Sequence, residues 1–482
     1  MLRIGAAVAR KVFKAFKNAY ATPLRGIPGP WHAKLTHLGL KRHVITGHRM
    51  HYVHSLHQQY GPIVRVAPTE VHISDPVAFN EIHRIGSGFL KDPWYQSFRQ
   101  GDTSDLFSQL DPHKHGQRRK LFAPLFSNTA LVNNWYPVIV EMVRTAVGKM
   151  KQEAISNGQV DMFQWWTLMT ADVISRLSFG EAFGMLEHGK KTKTMQMIED
   201  ATKFGAFNSE LPLITFVMRF LPLPGVQELV NLNEETQKIA EETLQRVRKS
   251  GIGATNTFSR LMAQNEKDVG ELTDYEVAYE AAGFIVAGSG TTAVTLTYLC
   301  WAVMSHPEVQ RKLEAEVGGL PEGFTESDIR SLPYLHACIE EALRLFGAAP
   351  GALPRSVPKG GATLAGFFIP EGTTVSTQAY SLHRDPNLYP EPEKFKPERF
   401  MSAEGEFEAP AKGTTMPFGG GTRTCLGIHL AKLELSHGAT YFFREMRGAK
   451  LAPQTTPSSM EMMNFFLISP KAEQCWITLG EN

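Results

Sequence analysis

The chain has 482 residues, 43% of them hydrophobic, with a formal net charge of +2 at pH 7. It is long enough to bury a large core, and length alone allows about two or three domains. Its four cysteines, Cys300, Cys338, Cys425 and Cys475, show no paired spacing, which argues against a secreted disulfide scaffold and a zinc site. The charge is uneven: residues 1–69 hold eleven Lys/Arg and no Asp or Glu, leaving 39 basic against 48 acidic residues in the remainder. The basic character is thus N-terminal, suited to an anionic membrane surface and not to nucleic acid along the whole chain.

No run of 18 apolar residues opens the chain, so no transmembrane helix is expected there. Met1 to Tyr20 reads as a basic amphipathic helix, with Val8, Val12, Phe16 and Tyr20 at i+4 spacing and Arg3, Arg10, Lys14 and Lys17 on another face. A membrane-surface segment over residues 1–22 is the first reading; a mitochondrial transit peptide and a frayed tail are the others. Pro23-Leu-Arg-Gly-Ile-Pro-Gly-Pro30 is expected to be a stiff, non-helical hinge.

Residues 61–74 alternate apolar and polar side chains around a turn, which predicts a β-hairpin. In His113-Lys-His-Gly-Gln-Arg-Arg-Lys-Leu-Phe-Ala-Pro124, a helical spacing puts His115 and Arg119 on one face; alone, this is a solvated basic face. Residues 130–270 read as mostly amphipathic helix, with loops at Leu221-Pro-Leu-Pro-Gly225 and 251–255.

Thr273 and Glu276 form a capping box that opens a helix running to Ser305, about 48 Å at ~1.5 Å per residue. It is apolar nearly all round and is expected to be buried. Gly283, Gly288 and Gly290 each cost about 1 kcal/mol inside a helix. That cost points to close approach of something flat, or to a local opening of the helix, at Ala287-Gly-Ser-Gly-Thr-Thr292.

Glu341 and Arg344 lie i,i+3 in an apolar helix, and Pro397-Glu-Arg-Phe400 follows downstream. Between them, residues 348–355 have no helical possibility, and strands are predicted over 362–369 and 373–381. The small residues Ala349, Gly351 and Ala352, with Leu353, suit either room for a bulky ligand or tight packing. Residues 462–467, followed by Cys475-Trp-Ile-Thr-Leu, read as a hairpin whose tip, with Phe465, lines a pocket.

The decisive stretch is Pro417-Phe-Gly-Gly-Gly-Thr-Arg-Thr-Cys-Leu-Gly427. Its glycines permit positive φ and close approach of a large planar group. The following residues are helical in composition, so Cys425 sits near a helix N-terminus that favours a thiolate, with Arg423 two residues before it.

Phe418 to Gly427, in the pattern F-x-x-G-x-R-x-C-x-G, resembles the haem-ligand signature of the cytochrome P450 superfamily, and the wording of residues 349–355 is similar to fungal members in secondary-metabolite pathways. The resemblance covers residues 23–480 with four motifs in order. It implies a mainly α fold with a small β-rich region, one haem-thiolate domain over 31–482, and haem b with Cys425 as the axial iron ligand. It further implies Phe418 and Gly427 beside the haem, propionates held by His115, Arg119, Arg355 and Arg423, and a buried triad of Glu341, Arg344 and Arg399 that fixes the loop.

Residues 287–292 resemble the dioxygen-side helix motif of the family, which implies catalytic positions at Ala287, Ser289, Gly290 and Thr291. Gly290 stands where the family usually has an acid. The resemblance implies a monooxygenase acting on a bulky apolar secondary-metabolite intermediate. Its electrons come from NADPH through NADPH-cytochrome P450 reductase, with cytochrome b5 as a further donor, at the cytosolic face of the endoplasmic reticulum membrane or in mitochondria. A redox-neutral haem-thiolate isomerase or dehydratase, and a non-catalytic haem sensor, are the competing classes.

Overall fold

The computed structural model describes residues 19–99, 103–218, 272–411 and 413–480, with single residues between 10 and 17 and between 220 and 245. The expected N-terminal amphipathic face therefore lies mostly outside the described residues; among those described, Phe13, Phe16 and Tyr20 are exposed. The loops expected at 221–224 and 251–255 are likewise outside, and Gly225 is helical.

Six helices position the site: α1 (Pro112–Phe122), α2 (Tyr136–Asn157), α3 (Met162–Phe179), α4 (Asp274–Met304), α5 (Pro333–Phe346) and α6 (Ile428–Glu445). The start of α1 is set by Pro112 at the first helical position and by Asp111, which accepts from the amides of His113 and Lys114 at 2.8 and 3.1 Å. The Thr273–Glu276 capping box opens α4 as expected. Its span Tyr275–Met304 is long and apolar enough to cross a membrane, but most of it is enclosed by the protein, as in a central core helix.

α4 packs on α3 and α6 where side chains vanish. A Cβ on Gly288 would lie 2.7 Å from Ile174 of α3, and one on Gly438 of α6 would lie 2.8 Å from Leu296 of α4. The expected opening of α4 at 287–292 is not seen; the helix is continuous there. Gly288 serves helix packing, whereas nothing lies within 4 Å of a Cβ at Gly290.

Five strands form the main sheet: β1 (Ile63–Ala67), β2 (Glu70–Ile73), β3 (Leu90–Lys91), β4 (Ala352–Ser356) and β5 (Thr374–Gln378), in the order β1-β2-β5-β4-β3. β1 and β2 are the expected hairpin; β2 runs parallel to β5, and β4 antiparallel to both β5 and β3. This sheet joins segments nearly 300 positions apart.

Three boundaries differ from the sequence reading. Pro23–Gly26 is a 3-10 turn, and the hinge is anchored, because Leu24 and Ile27 are buried against the sheet. The strand expected over 373–381 ends at Gln378 and turns into the short helix Ala379–Leu382. The C-terminal hairpin pairs Met462–Asn464 with Ile468–Pro470, while Trp476–Thr478 pairs with Val160–Asp161 and Lys450–Leu451.

Candidate active site

The cysteine loop is shaped by what lies under it. Gly419 and Gly421 have φ of +71° and +64°, and a Cβ on Gly421 would fall 1.8 Å from the carbonyl oxygen of His83, so only glycine fits there. The loop is thereby pressed onto helix Pro76–His83. Within it, the Cys425 amide donates to the Phe418 carbonyl at 2.9 Å, and Arg423 donates to the carbonyls of Gln109 and Leu110 at 2.7 and 3.2 Å.

Cys425 has the accessible surface of an exposed residue, yet burial pushes its thiol pKa up. A sulfur deep in the protein that faces an internal cavity has both properties. The Gly427 amide, at the N-cap of α6, and the Arg119 guanidinium act in the opposite direction, favouring thiolate.

Arg119 belongs to a cluster of cations around His115. His115 is held neutral, down to about 3, by burial and then by Arg423, Lys91, Arg119 and Arg355. Burial also lowers Arg423 to about 10, with Arg355 the next cause, and pushes Lys91 well below its ordinary value. The carboxylates within electrostatic reach of Lys91 and Arg423 are Asp105 and Asp111. Lys91 and Arg355 are direct partners across β3 and β4. Like charges in that position repel unless an anion lies between them.

Nothing in the sequence around Lys91 marked it, since its site exists only once β3 reaches β4. Tyr95 was missed for the same reason; its hydroxyl accepts from Arg355 at 3.4 Å.

On α4, Ala287 is exposed and Thr291, one turn on, is half-buried, so the two share an accessible face of an otherwise largely enclosed helix. Thr291 donates to the Ala287 carbonyl at 2.7 Å. Ser289, expected beside them, is 1% exposed. It donates to the Ile285 carbonyl, and its own carbonyl accepts from Thr170 of α3. Two residues along a helix is more than half a turn, so Ser289 faces away from the Ala287–Thr291 side.

Glu341 and Arg344 are fully buried and joined at 2.7 and 2.8 Å, and Arg399 reaches Glu341 at 2.9 Å. Arg344 further donates to the carbonyls of His383, Pro392 and Lys394. His383, not foreseen, accepts the Met416 amide on Nε2 at 2.8 Å, which leaves the proton on Nδ1 to donate to the Arg344 carbonyl at 2.9 Å. α5 is thereby stapled to the residue that leads into the cysteine loop.

A narrow cavity is lined by Ala349, Gly351, Ala352, Leu353 and Phe465, all expected there, together with Trp94, Phe98 and Phe466. A Cβ on Gly419 would lie 3.9 Å from Leu353, so this cavity adjoins the cysteine loop. A larger cavity of about 560 Å³ is lined mostly by polar side chains, among them Gln96, Arg99, Lys114, Arg118 and Glu276, together with Leu110, Leu121 and Leu272.

The family profile described as Cytochrome P450 matches residues 27–476. The chain belongs to the cytochrome P450 family. It is 40% identical over 467 residues to the cytochrome P450 monooxygenase tazI of Aspergillus terreus, covering 95% of this chain and 94% of that protein. It is 39% identical over 483 residues to the cytochrome P450 monooxygenase stcB of Emericella nidulans, covering 98% and 92%. The methylphloroacetophenone oxidase of Cladonia uncialis is 33% identical over 391 residues, covering 78% and 85%.

This cytochrome P450 is accordingly a monooxygenase similar to fungal secondary-metabolism enzymes, with haem iron on a cysteine thiolate as its cofactor. The residues present fit that group: an accessible sulfur with an amide and a cation beside it, and a set of buried cations suited to two carboxylates.

Proposed function

We propose that Cys425 is the iron ligand and that Lys91, His115, Arg119, Arg355 and Arg423 hold the haem propionates. The observation that carries this reading is that, of the four cysteines, Cys425 alone has an accessible sulfur, next to cations that have too few carboxylates of their own. Haem, when bound, supplies the activation of dioxygen. The chain's part is to orient and to exclude water. Thr291, fixed through Ala287, presents hydroxyl lone pairs that accept and pass a proton at Oγ1. Gly421 and the Glu341–Arg344–Arg399 triad hold the loop in register.

Electrons come from NADPH through NADPH-cytochrome P450 reductase, with cytochrome b5 as a second donor, since no flavin or nicotinamide fingerprint occurs in the chain. The acid-free, basic N-terminus and the exposed Phe13, Phe16 and Tyr20 support a seat on the cytosolic face of the endoplasmic reticulum membrane. The substrate is a bulky apolar secondary-metabolite intermediate. Hydroxylation is the primary reaction; desaturation, epoxidation or rearrangement use the same residues. The name of the relative from Cladonia uncialis supports an aromatic ketone as one member of the substrate range.

The test is carbon monoxide binding to the reduced protein. A red-shifted Soret band of the thiolate type is expected, and Cys425→Ser abolishes it; a wild-type protein without that band overturns the reading. Gly290 favours a second reading, a redox-neutral isomerase or dehydratase, because it removes the usual acid beside Thr291. Product formed without oxygen and without NADPH would select that reading.

A further inference from the structure

The hydroxyl of Thr291 passes a proton on only if one reaches it, so the groups along its side of α4 decide where that proton comes from. Glu276, Glu280, Gly283, Ala287 and Thr291 recur at spacings of four, three, four and four and line one side of the helix. On that side Gly283 and Thr291 are half-buried and Ala287 is exposed. Nothing lies within 4 Å of a Cβ at Gly290, so the side is open beside Thr291. Its titratable groups stand at the N-terminal end.

The cost of Gly283 inside α4 has a counterpart in the loop before α1. A Cβ there would lie 3.2 Å from Asp105 Oδ2. The other oxygen, Oδ1, accepts the Ser108 amide at 2.7 Å and the Ser108 hydroxyl. The Asp105 carboxylate is therefore pinned by one oxygen and laid against α4 by the other, beside Gly283, which is about 12 Å along the helix axis from Thr291. Within electrostatic reach of Asp105 lies Glu280, 1% exposed and joined to Arg118 of α1 at 2.8 Å. The same guanidinium holds Glu276, and Arg118 and Glu276 line the polar cavity of about 560 Å³. Burial first, and the Asp105 carboxylate next, push Glu280 up to about 8, against the pull of Arg118 and the Leu106 amide. At neutral pH Glu280 thus keeps a proton beside the Asp105 carboxylate. Lys91 of β3 is a further cation within electrostatic reach of Asp105.

We propose that the Asp105–Glu280 pair is the proton source for Thr291. A carboxyl O–H bond of the pair breaks, water along the open side of α4 carries the proton over about four hydrogen-bonded steps, and an O–H bond forms at Thr291 Oγ1, whose own proton moves on. No electrons are transferred. The carboxylate regains a proton from solvent in the Arg118–Glu276 cavity. Both acids act through Thr291 and are positioning residues. Glu434 is the competing acid, but it reaches Thr292, which is 4% exposed and lies off this side of the helix. The assignment deepens the proposed monooxygenase reading and rests on it.

The test uses the haem-loaded full chain with hydrogen peroxide as oxidant and guaiacol as reductant, a reaction that needs neither a reductase nor the native substrate. Asp105→Asn and Glu280→Gln are each expected to slow guaiacol oxidation roughly tenfold at pH 7, less than the loss of about a hundredfold or more for a directly acting acid. In the wild type the rate should fall as pH rises through about 8, and Glu280→Gln should erase that limb. Gly290→Asp, added to Asp105→Asn, should restore most of the rate, because it puts an acid beside Thr291; a merely structural role for Asp105 is not rescued in this way. Infrared spectra supply a readout apart from activity. Between about pH 6 and about pH 10, a protonated-carboxyl band should vanish with a midpoint near 8 in Glu434→Gln protein and be missing once Glu280→Gln is added. Unchanged rates in both single variants, a loss that Gly290→Asp does not restore, or the same infrared band with and without Glu280 overturns the proton source. Carbon monoxide spectra separate the two readings: a wild type without the thiolate band fails the haem assignment, whereas an intact band with wild-type rates in Asp105→Asn and Glu280→Gln sinks the role of these two acids alone.

Discussion

Lys91 and Arg355 face each other directly across an antiparallel strand pair, both side chains buried. Lys91 meets the rings of Tyr95 and Phe107 at 4.0 and 4.3 Å and donates to the Phe107 carbonyl, with no carboxylate in contact among the described residues. The arrangement sets two basic side chains against each other, and in the proposed reading an anionic cofactor relieves their repulsion. Lys91→Met is therefore expected to raise the melting temperature of haem-free protein, by a stability gain of about 0.5–1 kcal/mol, and to speed haem loss to a competing apo-globin. Unchanged haem retention in that transfer assay would contradict the role given to Lys91.

The buried triad makes a harsher demand. In Arg344→Ala, Glu341 keeps only Arg399 and the Lys396 amide, and the carbonyls of His383 and Pro392 lose their donor, while that of Lys394 keeps Arg399. A loss of about 3–5 kcal/mol is expected, with failure to retain haem. Purified variant with wild-type haem content and urea midpoint would refute it.

His383 gives an acid-side signature. Burial is the main cause that holds it down to about 3 in the folded protein. The unfolded chain binds a proton below pH ~6.5 that the native state refuses, so the stabilisation is complete above ~6.5 and fades as pH falls toward 3. Denaturant titrations from pH 7 to pH 4 should show this decline in the wild type and a shallower one, from a lower starting value, in His383→Gln. Parallel curves would remove His383 as the cause.

Glu434 of α6 has the opposite sign. Burial pushes it up to about 8; its oxygens have no close hydrogen-bond partner among the described residues, and the Thr292 hydroxyl supports it only weakly. The native state keeps a proton that the unfolded chain loses above pH ~4.5, so stability falls as pH rises through about 8. Glu434→Gln should match the wild type near pH 5 and exceed it by at least about 1 kcal/mol at pH 9, read from urea midpoints. Equal midpoints at pH 9 would place the carboxylate in a better solvated site than its burial indicates.

Two glycines of α4 should respond in opposite directions. Gly288→Ala drives a methyl into Ile174 and should cost about 1–3 kcal/mol. Gly290→Ala meets open space and should gain up to about 1 kcal/mol. The same space admits an acid, so Gly290→Asp should fold normally and raise product formed per NADPH. Identical melting shifts for the two alanine variants would show that α4 does not pack on α3 as described.

The sequence made the helix scaffold legible wherever a local rule set it, as in the Thr273 capping box and the 61–74 hairpin. The cysteine loop was legible too, because its glycines are required by one short stretch pressed on a neighbour. Lys91, Tyr95 and His383 were not, because each acquires its role from a partner that only the fold brings near, Arg355 for the first two and Arg344 and Met416 for His383. Ser289 was misplaced because a motif read as a string ignores the turn of the helix, and Gly288 because a packing glycine and a cofactor glycine look alike in one dimension.

The bed of the cysteine loop also fixes an order of events. Gly421 rests on His83, Arg423 on the carbonyls of Gln109 and Leu110, and Leu353 of the central sheet adjoins Gly419. The ligand loop thus emerges from the ribosome after every surface it must seat upon has been made. In the proposed reading, a nascent chain that has not reached Cys425 lacks the iron ligand, so cofactor loading waits until most of the chain has been made.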